Sequence, residues 1–198
     1  MSRRLKLAGA AFAALVVALG FVAVLAPKWL GMSSTPLAVN IGGPFKLRTH
    51  DGKVLSDRDL LGRPYAVFFG FTNCPDVCPT TMMELANAME TLGPDADKMS
   101  YLFVSVDPEQ DTAEHLSVYV QNFDKRLVGL IGTAEEIADV ARKFRVFYEK
   151  VKTKEGYTIN HTATTYLMDR RGKFFGTISY QENPKTRIEK LRRLIASP

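Results

Sequence analysis

The sequence predicts an α/β domain, a mixed central sheet with helices on both faces, carried behind a single N-terminal transmembrane helix. Three observations predict it. Leu7 to Ala26 is a stretch of twenty residues without a charge. Two later runs, "YAVFFGF" at 65–71 and "SYLFVSVD" at 100–107, hold the bulky and branched residues of strands buried on both faces. Between and after them lie segments with helical apolar spacing and capping residues at their starts. The 198 residues, 46% of them apolar, suffice for one ordinary core and not for two full domains.

The uncharged stretch is long enough for a helix of about 30 Å, the thickness of a bilayer core. Arg3, Arg4 and Lys6 precede it and only Lys28 follows closely, which places the N-terminus in the cytoplasm and the rest outside. A cleavable signal peptide is the rival reading, since "VLA" ends at the position before Pro27. The run exceeds a signal peptide's apolar core, and proline after the cut fits a protease badly, so an uncleaved anchor is favoured. Residues 1–6 then form a cytoplasmic N-terminus, 7–26 the anchor, 27–42 a small-residue linker and 43–198 the outward-facing domain. Of the 26 basic residues three precede the span, leaving 23 against 21 acidic residues outside, a net charge of +2 that gives no support to nucleic-acid binding. The basic cluster "KTRIEKLRRL" near the C-terminus reads as a solvated helix face.

Within the domain, Asp51-Gly52 interrupts an alternating segment and predicts a hairpin. After "YAVFFGF", the segment "TTMMELANAMETL" sets Met82, Leu85, Met89 and Leu92 at helical spacing, with Met82 and Met83 read as packing residues. "TAEHLSVYVQNF" reads as a helix capped by Asp111 with Glu114 closing a capping box. "RLVGLIG" is a short strand, and "TAEEIADVARKFRVFYEKV" a helix capped by Thr133 and Glu136. "HTATTYLMD" and "KFFGTISY" form a hairpin around "RRG". Asn183 caps, and Pro184 opens, a final helix. This is the element order of thioredoxin-like folds.

"FGFTNCPDVCPTTM", residues 69–82, holds both cysteines of the chain, each followed by proline. Proline disfavours helical geometry in the residue before it, so Cys74 and Cys78 are pushed toward a loop. Pro79 suits a helix start, which puts Cys78 at or near the N-cap, where helix amides lower thiol pKa values. The loop is wider than a Cys-X-X-Cys loop and leaves room for an ion or for a disulfide. A third ligand is needed, and there are three histidines. His50 in a turn and His115 in a mixed-polarity helix read as surface residues. His161 stands before the strand "TATTYLMD". In thioredoxin-like folds that segment faces the cysteine loop and usually carries a cis proline, replaced here by Thr162-Ala163-Thr164. Two thiolates and one imidazole form a soft set suited to copper, particularly Cu(I), whereas structural zinc normally takes four protein ligands.

"GFTNCPDVCPTTM", "VDPEQDT" and "NHTATTYLMDRRG", behind one N-terminal span, resemble the Sco/SenC family of copper-binding assembly factors for cytochrome c oxidase. The resemblance runs from about Gly42 to the C-terminal helix. It implies a thioredoxin-like fold, copper, Cu(I) and also Cu(II), bound by Cys74, Cys78 and His161, and delivery to the dinuclear copper centre of oxidase subunit II. Copper donor, periplasmic thiol reductant and subunit II would be the partners, and a bacterial-type inner membrane, with the domain in the periplasm, the location. The chain departs from the family at Gln110, usually Arg, and at Asn160, often Asp, which bears on local charge and the partner surface. Asp76 and Asp107 follow strands at one sheet edge and, as hard ligands, read as residues behind the ligands or facing a partner. A thiol-disulfide reductase using the same cysteine pair is the alternative function. A peroxidase lacks its motif here, and a structural disulfide in an interaction domain predicts that Cys74→Ser mainly lowers stability.

Overall fold

The computed structural model describes residues 15, 16, 40–154 and 156–198. Apart from Leu15 and Val16, the predicted anchor lies outside the described residues, as does 27–39 of the linker. Among the described residues no helix is long and apolar enough to cross a membrane.

Asn40–Pro198 forms one unit built on a seven-stranded mixed sheet. Strand β1 (Lys46–Thr49) turns at Asp51-Gly52 into β2 (Val54–Ser56), the predicted hairpin. Strands β3 (Tyr65–Gly70), β4 (Ser100–Ser105) and β5 (Leu127–Ile131) run parallel at the centre. β8 (Thr164–Met168) pairs antiparallel with β3 and with β9 (Phe174–Ser179), giving the order β2-β1-β5-β4-β3-β8-β9. Every residue of β3 is buried, as its unbroken apolar run requires.

Alternate residues of β3 face opposite layers. On one side Phe68 packs against Phe103, and Phe103 against Tyr119 of helix α2 (Ala113–Gln121). Gly129 of β5 lets α2 sit close, since a Cβ there would lie 2.5 Å from Leu116 Cγ. Helix α1 (Val77–Leu92) covers the same side with Met82, Leu85, Met89 and Leu92, all buried at the predicted spacing, and packs against α4 (Pro184–Ile195). On the other side Phe69 and Tyr166 meet Phe144, the last residue of α3 (Ala134–Phe144).

Several expectations change. α1 begins at Val77 with Asp76 as N-cap, so Cys78 lies inside its first turn and only Cys74 is in the loop. Pro79 is tolerated there because first-turn amides have no helical acceptor to lose. The cap of α2 is Thr112, whose hydroxyl accepts from the His115 amide; Asp111 is buried and bonded elsewhere. α3 keeps its Thr133–Glu136 capping box but stops at Phe144, where Arg145 turns left-handed. The last four residues of that predicted helix, Tyr148–Val151, lie instead in strand β6 (Tyr148–Thr153), which pairs with β7 (Gly156–His161) as a separate two-stranded sheet. Pairing with β7 overrides the helical reading of "YEKV". His161 therefore ends β7 instead of opening β8. Met83 is exposed, and Arg187, in the basic cluster, is buried and paired with Glu84 at 2.7 Å. His50 is half-buried, its Nδ1 accepting from the Gly129 amide at 3.0 Å.

Candidate metal centre

The centre is assembled at the ends of β3 and β4. Beyond Gly70 the chain turns through Phe71–Asp76 into α1, and the buried ring of Phe71 pins the start of that loop. The Thr72 amide and hydroxyl donate to the Asp111 carboxylate at 3.0 and 2.6 Å, and the Ser105 hydroxyl donates to it at 2.6 Å. Asp111 thus ties the cysteine loop to the end of β4. One residue on, the Asn73 side chain donates to Gln110 Oε1 at 3.0 Å.

The two thiols have different surroundings. Cys78 is fully buried, its sulfur in the space left by Gly70, where a Cβ would come within 2.7 Å of Sγ. Cys74 is half-buried and accepts from the Cys78 amide at 3.4 Å. The Cys78 thiol bond, together with His161 and the amides of Cys78 and Asp76, pulls the Cys74 thiol down to about 4. Burial, and then the neighbouring Cys74 sulfur, push Cys78 up. Without metal the pair shares one proton, held on the inner sulfur, and the outer sulfur is a thiolate.

His161 comes to this pair from β7. Its Nε2 lies 3.2 Å from Cys78 Sγ across 83 residues of sequence. The rings of Phe68 and Phe71 stand edge-on to the imidazole at 5.8 and 5.9 Å and hold its plane. Nδ1 lies 3.3 Å from the Thr162 carbonyl oxygen, an acceptor for its proton when Nε2 gives its lone pair to an ion. The Cys74, Cys78 and His161 donor atoms all lie within 4.8 Å of one another. Thiolate and imidazole donors sit about 2.0–2.3 Å from a small first-row ion, so donors to one ion are at most about 4.6 Å apart. The cluster fits an ion with little rearrangement. It opens into a cleft of about 380 Å³ lined by Cys74, Pro75, Asp76, Asn160 and His161.

A family model described as SCO1/SenC matches residues 33–196. The chain belongs to the SCO1/SenC family. It is 41% identical over 141 residues to the human mitochondrial SCO1 homologue, covering 68% of this chain and 46% of the human protein, under half of that relative's length. Bradyrhizobium japonicum ScoI, solved with copper bound, superposes with a TM-score of 0.73 at 45% identity over 78% of this chain and 99% of that one. BsSco, described as having a disulfide switch and as a member of the Sco family of cytochrome c oxidase assembly proteins, superposes with a TM-score of 0.65 at 26% identity, over 81% and 96%. The family fold is the thioredoxin-like one that the element order predicts.

The predicted carboxylates stand outside the three-donor group. Asp76 lines the cleft and accepts from Thr80 and Tyr180, both at 3.3 Å. Asp107 is 1% exposed and accepts from the Tyr157 hydroxyl at 2.9 Å on both oxygens. Burial, partly offset by Tyr157 and Lys150, holds its pKa above the ordinary carboxylate value. Asp111 and Tyr157 escape the sequence reading. Thr112, itself a good cap, was the available signal that Asp111 is free for another role; no local pattern marks Tyr157.

Two outcomes follow from this geometry. In reduced, metal-free protein, iodoacetamide should label Cys74 at rates differing less than about twofold between about pH 6 and pH 8, because the thiolate is already formed, while Cys78 stays unlabelled until unfolding. Mass spectrometry of the labelled peptides reads this, and a steep fall in Cys74 labelling toward pH 6 would contradict it. Asp111→Ala strands the Thr72 and Ser105 donors and should lower stability by about 2–4 kcal/mol in urea unfolding; a midpoint equal to wild type would show that the loop is held otherwise.

Proposed function

We propose that this protein is a membrane-anchored metallochaperone that binds copper through Cys74, Cys78 and His161 and delivers it to the dinuclear copper centre of cytochrome c oxidase subunit II. The observation that carries the reading is the approach of His161 Nε2 to 3.2 Å from Cys78 Sγ, with Cys74 in the same cluster. Two sulfurs and one imidazole form a soft set with an open position, which suits Cu(I). The copper-bound ScoI structure and the oxidase-assembly role stated for BsSco's family support the same cargo and destination. The uncharged run at 7–26, with Arg3, Arg4 and Lys6 before it, supports a single-pass anchor in a bacterial-type inner membrane, with the N-terminus in the cytoplasm and the domain in the periplasm.

Release follows from the difference between the thiols. Half-buried Cys74 is the donor that an incoming cysteine or histidine of the recipient can displace first, while Cys78 and His161 keep hold of the ion. A Cys74–Cys78 disulfide would remove both sulfur donors, so an external thiol must keep the pair reduced in an oxidising compartment.

The thiolate at Cys74 also favours a second reading, a thiol-disulfide reductase. Cys74 would attack a disulfide of the oxidase subunit to form a mixed disulfide and release one thiolate. Cys78 would then attack Cys74, freeing the second thiolate and leaving the Cys74–Cys78 disulfide. One set of variants separates the two. Reduced full-length protein in detergent, loaded anaerobically with Cu(I), should hold one copper per chain. Cys74→Ser and Cys78→Ser should lose it, and His161→Ala should bind more than about tenfold more weakly while still reducing a disulfide. Unchanged copper affinity in His161→Ala would overturn the three-donor reading.

A further inference from the structure

The strand that supplies His161 is held apart from the main sheet. β6 and β7 pair with each other as their own two-stranded sheet, and the hairpin meets the rest of the domain through one pleated face. Tyr157, Ile159 and His161 alternate along β7 and share that face. Ile159 is 4% exposed in the core, and His161 reaches Cys78. Tyr157 donates its hydroxyl to Asp107, on the turn after β4 that also presents Asp111. Lys150, paired across the hairpin with Ile159, lies on the same face; its Nζ is 4.5 Å from the centre of the Tyr157 ring, 3.8 Å from Asp107 and 2.6 Å from Glu109. Asp107 has no other reason to be buried, since its own turn is closed by its backbone carbonyl accepting from Gln110 and Asp111.

We infer that the Tyr157–Asp107 contact is a latch that docks the β6–β7 hairpin and thereby sets His161 against the cysteine pair, making Tyr157 and Asp107 positioning residues for the third donor. Four residues of strand, about 13 Å, separate the latch from the imidazole, and Ile159 between them is the fulcrum. With the latch closed the centre has three donors; with it open the hairpin can lift and leave the two sulfurs alone. This rests on the reading of His161 as a donor.

The test compares full-length wild type with Tyr157→Phe, which keeps the ring and its contact with Lys150 and removes only the hydroxyl. In metal-free protein, backbone amides at 157–161 should exchange hydrogen about tenfold faster or more in Tyr157→Phe, the loss of a hydrogen bond to a buried carboxylate. In copper-loaded protein, transfer to a chelator should speed by about the same factor. Asp107→Asn, whose amide oxygen still accepts from Tyr157, should stay near wild type in both, whereas Asp107→Ala should match Tyr157→Phe. Glu149→Ala, on the outward face of the hairpin, should change neither. Equal exchange in Tyr157→Phe and wild type would overturn the latch, as would equal acceleration by Glu149→Ala, which would mark general fraying. Exchange is read without metal and so decides the latch whatever the copper result; absence of copper uptake in wild type would count against the metallochaperone reading alone.

Discussion

The centre depends on one short turn at the end of β4, where three side chains act as anchors. Asp111 accepts from the Thr72 amide and hydroxyl and from the Ser105 hydroxyl, and Ser105 Oγ accepts in turn from the Asp107 amide. That network fixes the cysteine loop. Asp107, four residues before Asp111, fixes the histidine hairpin through Tyr157. Donors 83 residues apart in sequence meet within hydrogen-bonding distance because both of their carriers are tied to the same backbone segment. Buried carboxylates are costly unless fully bonded, and here each is bonded to a segment that carries a donor.

The surrounding core supports this arrangement by leaving space as well as filling it. Gly70 ends β3 without a side chain, and the sulfur of Cys78 occupies the space that a Cβ would take. Phe68 and Phe71 hold the imidazole plane, so the ring orientation is set by packing. The resulting contrast sets a thiol pushed up by burial beside a half-buried thiol pulled down to about 4, and in the proposed function it is the outer sulfur that exchanges.

Much of this is readable from residue order. The central strands announce themselves because burial on both faces demands unbroken apolar runs, and α1 because Met82, Leu85, Met89 and Leu92 recur at helical spacing. Cys74, Cys78 and His161 stand out because the chain has few thiols and imidazoles to choose among. The β6–β7 hairpin does not stand out. In "YEKVKT" Lys150 and Lys152 fall on the face that docks and Val151 on the other, so no apolar-in, polar-out alternation marks a strand, and with no turn dipeptide at its tip it reads as the continuation of a capped helix; only pairing with β7 makes it a strand. Asp111 is misread for a related reason, since two adjacent residues can each cap a helix and only the tertiary position of Thr72 shows which one is otherwise engaged. Local signals mark elements, and the contacts that join one element to another at the centre are set by the fold.

The central claim is that one copper ion is held by two sulfurs and one imidazole nitrogen. X-ray absorption at the copper edge of the reduced, Cu(I)-loaded protein tests it most directly. The account predicts a first shell of two sulfur scatterers and one nitrogen, with the outer-ring scattering of a histidine that is lost in His161→Ala. A shell of sulfur alone, unchanged by that substitution, would contradict it.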